Sequence, residues 1–238
     1  MLSKNTIKLI ASLSQKKFRT QHQLFIVEGV KGIQEFLDSS FELYQLFATE
    51  ANFSAETILI SEKELQKISN LKSPNTALAI FKIPKQKTAE ANGLILVLDE
   101  IRDPGNLGTI IRLCDWFGVK TLVCSEGTVD CYNPKVVQAT MGSLARVHIS
   151  YTNLSNYLKT ANSAVFGTFM EGNNIYTEEL PKEGIIVMGN EANGISLEVE
   201  QLIHKKLSIP RFGNLQTTES LNVATAAAVV LSAFRRGF

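Results

Sequence analysis

The chain has 238 residues, of which 45% are hydrophobic and 20% are charged, and its formal net charge is +1. This length and apolar content exclude a disordered protein and suit one or two domains with a buried core. The small net charge excludes a strongly basic coating protein, but it permits a local basic surface, because binding to polyanions depends on where charges lie.

Metal, disulfide and membrane features are not expected from the sequence. Cys114, Cys124 and Cys131 form no CxxC pair and are too few for a disulfide framework, and the three histidines are scattered singly. A metal site is therefore not expected. The start of the chain lacks a secretory apolar run, and no apolar stretch reaches the ~20 residues of a membrane span. We expect a cytoplasmic protein that does not cross a membrane.

Residues 1–83 alternate short helical and extended segments, which predicts a small α/β domain. The expected helices cover residues 4–18 and 30–37 and a segment from residue 61, and the expected strands cover residues 23–27, 43–48, 57–60 and 76–83. Ser61 and Glu64 have the spacing of a helix capping box. Residues 84–92 are polar, include a proline and lack periodicity, so we expect a linker there.

Residues 93–238 alternate more strongly and form the second predicted domain. Apolar runs typical of buried parallel strands cover residues 94–98, 121–123, 164–166, 185–188 and 207–209. Helical segments are expected at residues 107–117, 134–142, 196–204 and 220–236. This alternation predicts an α/β fold with a parallel sheet covered on both faces by helices.

Three loops that follow predicted strands, residues 99–112, 189–196 and 210–223, combine glycines with amides, hydroxyls and charged side chains. Ligands of open parallel sheets bind at the carboxyl ends of the strands, so these loops are the candidate site. None of them carries a GxGxxG, Walker A, GxSxG or HExxH motif, and none contains a histidine. These absences disfavour a nicotinamide dehydrogenase and a serine hydrolase.

The three loops share an ordered set of motifs. The first loop contains N-x-G-x-x-x-R, formed by Asn106, Gly108 and Arg112. The second contains G-N-E-x-x-G-I, formed by Gly189, Asn190, Glu191, Gly194 and Ile195. The third, together with the preceding Ile209, contains I-P and S-L-N-V, formed by Ile209, Pro210, Ser220, Leu221, Asn222 and Val223. Together they resemble the motifs of the SpoU (TrmH) family of RNA ribose 2′-O-methyltransferases, within the SPOUT superfamily. One departure is visible, since the interval from Pro210 to Ser220 is longer than the common family pattern.

The resemblance implies a parallel sheet with a C-terminal trefoil knot that binds S-adenosylmethionine, and a homodimer with active sites at the subunit interface. The donor contacts that it implies are Thr168, Gly189, Asn190, Gly194, Ile209 and Leu221. Residues 1–83 resemble the family's substrate-binding domain, which is similar to a ribosomal RNA-binding protein. RNA is therefore the expected partner, and the separate domain favours ribosomal RNA over transfer RNA.

The resemblance also implies a catalytic group built around Arg112. The family proposal has this arginine accept a proton with help from the RNA phosphate, whereas a bidentate clamp on that phosphate is the alternative role. The supporting polar residues implied by the motifs are Asn106, Glu191, Ser220 and Asn222. The neighbouring Trp116 is expected to pack in the core rather than to stack on bases.

The charge distribution is uneven between the two predicted domains. Residues 1–90 carry 12 Lys and Arg against 9 Asp and Glu, a net of +3, whereas residues 91–238 carry 12 against 14, a net of −2. Lys16, Lys17 and Arg19 are the candidate RNA-binding residues, with a solvated helix face as the alternative interpretation.

Three other functions stay open at this stage. The protein could methylate transfer RNA, or it could be a non-catalytic RNA-binding or ribosome-assembly protein with a degenerate methyltransferase domain. A nucleotide- or cofactor-binding enzyme of the ordinary doubly wound type is the third alternative, and the missing glycine fingerprint disfavours it.

Overall fold

A computed structural model describes residues 2–51, 53–85, 93–212 and 220–236. The chain divides into two compact units, Met1–Gln86 with Asp130–Arg146 and Lys87–Val129 with Val147–Phe238. The placement of Asp130–Arg146 in the first unit was not expected from the sequence. Most of the predicted linker, residues 86–92, lies outside the described residues, and the domain bounds stay a prediction.

The elements alternate along both units. The helices, in chain order, are α1 (Lys4–Ser12), α2 (Lys16–His22), α3 (Val30–Leu37), α4 (Glu62–Ile68), α5 (Pro104–Trp116), α6 (Pro134–Thr140), α7 (Leu154–Thr160), α8 (Leu197–Glu200) and α9 (Val223–Phe234). The strands are β1 (Leu24–Glu28), β2 (Leu43–Ala48), β3 (Ile58–Leu59), β4 (Ala77–Lys82), β5 (Leu94–Asp99), β6 (Thr121–Ser125), β7 (His148–Thr152), β8 (Val165–Asn174), β9 (Gly184–Gly189) and β10 (Lys205–Ser208).

The first unit is an α/β structure around a four-stranded sheet in the order β1-β4-β2-β3, as the sequence predicted. The β1–β4 and β2–β4 pairs are antiparallel, and β2 and β3 are parallel. Aromatic rings fill part of its core, with the Phe25 ring centroid 5.5 Å from that of Phe36 and 4.7 Å from that of Tyr132. Ser61 and Glu64 form the predicted capping box of α4.

Arg19 lies inside the first unit, where it is 2% exposed. Its Nε and Nη2 atoms donate to Asp130 Oδ2 at 2.9 and 2.6 Å, and its Nη1 donates to the backbone oxygens of Leu13 and Ser14. Protein partners therefore use four of the five N–H groups of this buried guanidinium, which argues against the predicted contact with RNA. Lys16 and Lys17 are exposed on the same helix, α2, and stay predictions.

The second unit contains a six-stranded sheet in the order β10-β8-β9-β5-β6-β7. Every pairing in it is parallel, which confirms the parallel sheet predicted from the alternating strands and helices. The central strand β5 is buried at each position, as a strand is when both faces of its sheet are covered. Helices α7 and α8 pack on a cluster that includes Val97 and Val187, while α5 and α9 pack on each other.

Some elements differ from the sequence-based expectations. The strand β7 and the helix α7 were not predicted, and the expected helix over residues 196–204 is limited to the four residues of α8. The expected helix over residues 4–18 is divided into α1 and α2. Within the described ranges, no helix has the length and apolar content needed to cross a membrane.

Candidate active site

The loops predicted to form the site leave one edge of the parallel sheet. Strands β5 and β9 are neighbours and end at the paired residues Asp99 and Gly189, so the segments that follow them start side by side. Strand β10 runs parallel to β8 on the other side of β9. Because parallel strands share the direction of their carboxyl ends, all three loops begin at the same edge.

Three side chains from the three loops form one hydrogen-bonded series, which we call the amide relay: Asn222, Asn106 and Glu191. Asn222 Nδ2 donates to Asn106 Oδ1 at 2.9 Å, and Asn106 Nδ2 donates to a carboxylate oxygen of Glu191. Asn222 Oδ1 accepts the backbone N–H groups of Ala224 and Thr225 at 3.0 and 3.2 Å. This cap at the start of α9 fixes the Asn222 amide, which in turn fixes the Asn106 amide.

The start of α5 sets the position of Asn106. Asp103 caps this helix by accepting the Asn106 backbone N–H at 2.8 Å, and Pro104 occupies the first helical position, where its missing N–H costs no hydrogen bond. Asp103 was absent from the predicted site. An aspartate directly before a proline and three residues before Asn106 is the sequence signal of this cap.

Arg112 lies farther along α5 and is exposed. Its guanidinium makes no hydrogen bond or ion pair with any residue that the structure describes, so its donors are available to a ligand. Trp116, one turn later, is 84% exposed, which corrects the expectation that its ring packs in the core. A bulky indole and a cation therefore share one exposed side of α5.

A cavity of about 1210 Å³ opens at this edge of the sheet. Its lining includes all six residues predicted to contact the donor: Thr168, Gly189, Asn190, Gly194, Ile209 and Leu221. Glu191 and Ser220 also line it, and apolar side chains such as Leu207 and Val223 cover part of its wall. The volume is ample for a nucleoside-sized ligand, since small-molecule sites occupy roughly 300–1,000 Å³.

Residues 190–195, which we call the donor loop, are folded tightly against the end of β9. Asn190 O accepts the Gly194 N–H at 2.9 Å, and Asn190 Oδ1 accepts the N–H groups of Ala192 and Asn193 at 2.9 and 2.8 Å. A Cβ atom on Gly189 would lie 2.0 Å from the carbonyl carbon of Gly194. The glycine at 189 is therefore required by a close backbone approach, which explains its place in the motif.

The remaining predicted residues have distinct surroundings. The Thr168 hydroxyl donates to Val187 O at 3.3 Å and is thus tied to β9. Ser220 and Leu221 are exposed, and the unusual interval between Pro210 and Ser220 falls largely at residues 213–219, outside the described residues. In the part of the chain that the structure describes, no group of three or more His, Cys, Asp or Glu residues could hold a metal ion.

One buried acid beside the cavity was missed by the sequence reasoning. Asp99 ends β5, is 4% exposed and accepts the backbone N–H of Ser196 at 2.8 Å. Its signal is a carboxylate directly after five apolar residues of a buried strand. The fold and the site together define an α/β protein whose strand-end loops line a cavity large enough for a small molecule.

Comparison with known families assigns this architecture. Residues 93–232 match the model of the SpoU rRNA Methylase family, and residues 4–79 match the model of the MRM3-like substrate binding domain. The chain belongs to the SpoU family of RNA methyltransferases. This confirms the family predicted from the three motifs, and the second match confirms the substrate-binding domain predicted at the N-terminus.

Individual relatives resemble the chain over nearly its full length. A putative RNA methyltransferase of the TrmH family from Porphyromonas gingivalis is 39% identical, with a TM-score of 0.92 over 99% of both chains. An AdoMet-bound rRNA methyltransferase from Sinorhizobium meliloti is 27% identical, with a TM-score of 0.88 over 99% of this chain and 96% of that one. The 23S rRNA (guanosine(2553)-2′-O)-methyltransferase RlmP of Bacillus subtilis is 29% identical, covering 92% of this chain and 91% of its own.

Proposed function

We propose that this protein methylates a ribose 2′-hydroxyl in ribosomal RNA, with S-adenosylmethionine as the methyl donor. The observation that carries the proposal is the amide relay, which joins the three motif loops at the cavity that Glu191 lines. Arg112 lies on α5, the helix that also carries Asn106. The names of similar proteins support it, because RlmP is named a 23S rRNA guanosine 2′-O-methyltransferase and the S. meliloti relative is described as AdoMet-bound.

The cavity fits S-adenosylmethionine. The donor loop folds closely onto Gly189, which has no side chain, and all six of its residues line the cavity. Peptide groups of such a loop can hydrogen-bond an adenine or a ribose. Apolar side chains such as Leu207 and Val223 suit the flat face of a purine. When bound, the donor supplies an electrophilic methyl group on a sulfonium centre. The donor loop, which lines the cavity, would hold this donor.

The acceptor hydroxyl must lose its proton as the new carbon–oxygen bond forms, so it must be aligned and deprotonated. Arg112 carries five donors in a planar fork and has no described protein partner, which suits a bidentate clamp on the phosphate next to the target ribose. An arginine keeps its proton in ordinary surroundings. As a clamp, Arg112 aligns the hydroxyl and keeps its own proton, and the hydroxyl proton passes to an oxygen of the clamped phosphate or to water. Proton acceptance by Arg112 itself, with help from the phosphate, is the alternative.

The first unit contributes RNA binding to this proposal. Its match to an MRM3-like substrate binding domain supports this role, and its exposed Lys16 and Lys17 are available to phosphates. Neutralising a phosphate releases counterions, so each contact contributes about one unit to the salt dependence of RNA binding. Ribosomal RNA is preferred over transfer RNA because two relatives that match over 92% and 99% of the chain, RlmP and the S. meliloti protein, are named for it.

A trefoil knot, a homodimer and a cytoplasmic location also belong to the proposal. The knot is supported by the path of the chain, which leaves β10 at one edge of the sheet and returns to pack α9 on α5 and β9 near its centre. The homodimer is supported by the exposed Trp116, because large aromatic side chains are enriched at protein–protein interfaces. A cytoplasmic location fits an enzyme that acts on ribosomal RNA.

Two measurements test the proposed function. Calorimetry with S-adenosylhomocysteine should show one donor site per chain, and mapping of ribose methylation should show one 2′-O-methyl site lost from ribosomal RNA in cells that lack the gene. A site lost from transfer RNA instead would overturn the substrate assignment. Donor binding with no lost site in any RNA would overturn the activity, and no donor binding would favour a non-catalytic RNA-binding protein.

A further inference from the structure

We propose that Asp99 is a positioning residue that holds the donor loop in the form that binds the methyl donor. This inference rests on the proposed function. Asp99 is the last residue of β5 and is nearly fully buried, and its Oδ2 accepts the Ser196 N–H at 2.8 Å. Ser196 directly follows the donor loop, so this bond attaches the far end of the loop to the sheet.

The same residue also neighbours the near end of the loop. Asp99 pairs with Gly189 across the β5–β9 ladder, and Gly189 directly precedes the donor loop. The backbone of Asp99 therefore lies beside the loop's first attachment, and its side chain makes the second. One residue of β5 is thus attached next to both ends of a six-residue segment that lines the cavity.

Small movements of Ser196 are transmitted to the cavity wall because the loop has no free space at its base. Gly194 approaches Gly189 so closely that a Cβ atom at 189 would lie 2.0 Å from its carbonyl carbon. The hydrogen bonds that the Asn190 side chain accepts from Ala192 and Asn193 hold the turn together internally, but they do not connect it to β5. Release of Ser196 would let the end of the loop move away from Gly189 and open the wall.

The chemistry of Asp99 suits this task. A buried carboxylate that loses its donor pays the full cost of desolvation, so the Ser196 bond resists opening more strongly than an exposed contact would. The residue after Asp99, Glu100, has a φ of +57°, which is unfavourable for a side chain with a Cβ atom. The chain thus turns sharply directly after the carboxylate, and the Glu100 N–H donates to Ser125 Oγ at 2.8 Å.

The test removes the donor of this bond and leaves the acid intact. Ser196 has φ −63° and ψ 148°, which a proline adopts, and its side chain makes no capping bond to α8. Ser196→Pro deletes the N–H, whereas the matched control Ser196→Ala keeps it. We expect Ser196→Pro to weaken S-adenosylhomocysteine binding by about tenfold, which corresponds to the loss of one hydrogen bond to a charged group. Ser196→Ala should bind S-adenosylhomocysteine as tightly as the unaltered protein does.

Two further measurements separate positioning from general stability. The affinity for RNA should stay within about twofold in Ser196→Pro and Ser196→Ala, because the donor loop lines the proposed donor cavity. Asp99→Asn should keep its affinity for S-adenosylhomocysteine, since the amide oxygen can still accept the Ser196 N–H, whereas Asp99→Leu should lose it. If Ser196→Pro does not fold, the Asp99→Asn and Asp99→Leu pair decides. Equal donor binding by unaltered protein and Ser196→Pro would overturn the inference alone, whereas no binding by the unaltered protein would overturn the proposed function.

Discussion

The side-chain amide of Asn222 donates to the side-chain oxygen of Asn106 at 2.9 Å, although the two residues are 116 positions apart. This bond connects the start of the last helix to the first motif, and Asn106 passes the connection to Glu191. Because each amide uses its oxygen on one side and its nitrogen on the other, the three side chains orient one another as a unit.

This coupling predicts that substitutions in the relay are not additive. Asn106→Ala and Asn222→Ala should each lower kcat by about 10²-fold through misplacement of the reacting groups, and the double variant should lose little more. Single-turnover methylation of the substrate RNA would measure all four proteins. If the rate loss of the double variant equals the product of the two single losses, the three side chains do not act as a unit. Unchanged affinity for S-adenosylhomocysteine is the control that the cavity is intact.

Arg112 is exposed and unpaired among the described residues, so its removal should affect chemistry without affecting folding. Arg112→Ala should lower the rate of methyl transfer by at least about 10²-fold, while the melting temperature and donor affinity stay unchanged. Arg112→Lys keeps the charge but not the bidentate fork, and should recover only part of the rate. Near-normal transfer by Arg112→Ala on the true substrate would show that the catalytic assignment is wrong.

Arg19 and Lys17 lie on one helix, but their substitution by alanine should affect different properties, namely stability for Arg19 and RNA binding for Lys17. Arg19→Ala leaves the Asp130 carboxylate, whose side chain is 15% exposed, without its ion-pair partner, so the free energy of unfolding should fall by about 3–5 kcal/mol. Lys17→Ala should leave stability unchanged and reduce the salt slope of RNA binding by about one unit. Denaturant unfolding and RNA titrations at several salt concentrations distinguish these outcomes. A stable Arg19→Ala protein with weakened RNA binding would restore the original RNA-contact prediction.

The two glycines of the second motif should also differ in their response to alanine. At Gly189 a Cβ atom would collide with the donor-loop backbone, so Gly189→Ala should displace the loop and weaken donor binding by at least tenfold. At Gly194 the new Cβ would meet open space, and only the φ of +68° is unfavourable, at about 1 kcal/mol. Calorimetry with S-adenosylhomocysteine gives both affinities, and equal losses would argue against the steric account.

Much of the fold could be predicted because its strands are unusually apolar. Strand β5 is buried at every position, and such a run has few alternatives to a central parallel strand. Strand β7 was missed because it lies at the sheet edge and buries only Ser150, which leaves no apolar period to detect. The cap by Asn222 explains why the last helix starts at Val223 and not at Ser220.

The site was predictable only where a motif marks it. The relay residues and the donor loop were found because the family motifs name them, whereas Asp99 was missed because its role depends on an N–H group 97 residues away. The burial of Arg19 was not foreseen for a similar reason, since its ion-pair partner Asp130 is distant in the sequence. Neither partnership leaves a local pattern, because both are created by the tertiary fold.

Trp116 is the single tryptophan of the chain and stands one helical turn from Arg112, with 84% of its surface exposed. The tryptophan fluorescence of the unlabelled protein, excited selectively over that of its tyrosines, therefore comes from one water-exposed indole beside the proposed catalytic residue. If the emission changes when RNA is added at constant protein concentration, RNA binds near α5. If the emission changes with protein concentration in the absence of RNA, a second copy of the chain covers the ring. Docking and assembly at this helix can thus be observed by light in the unmodified protein.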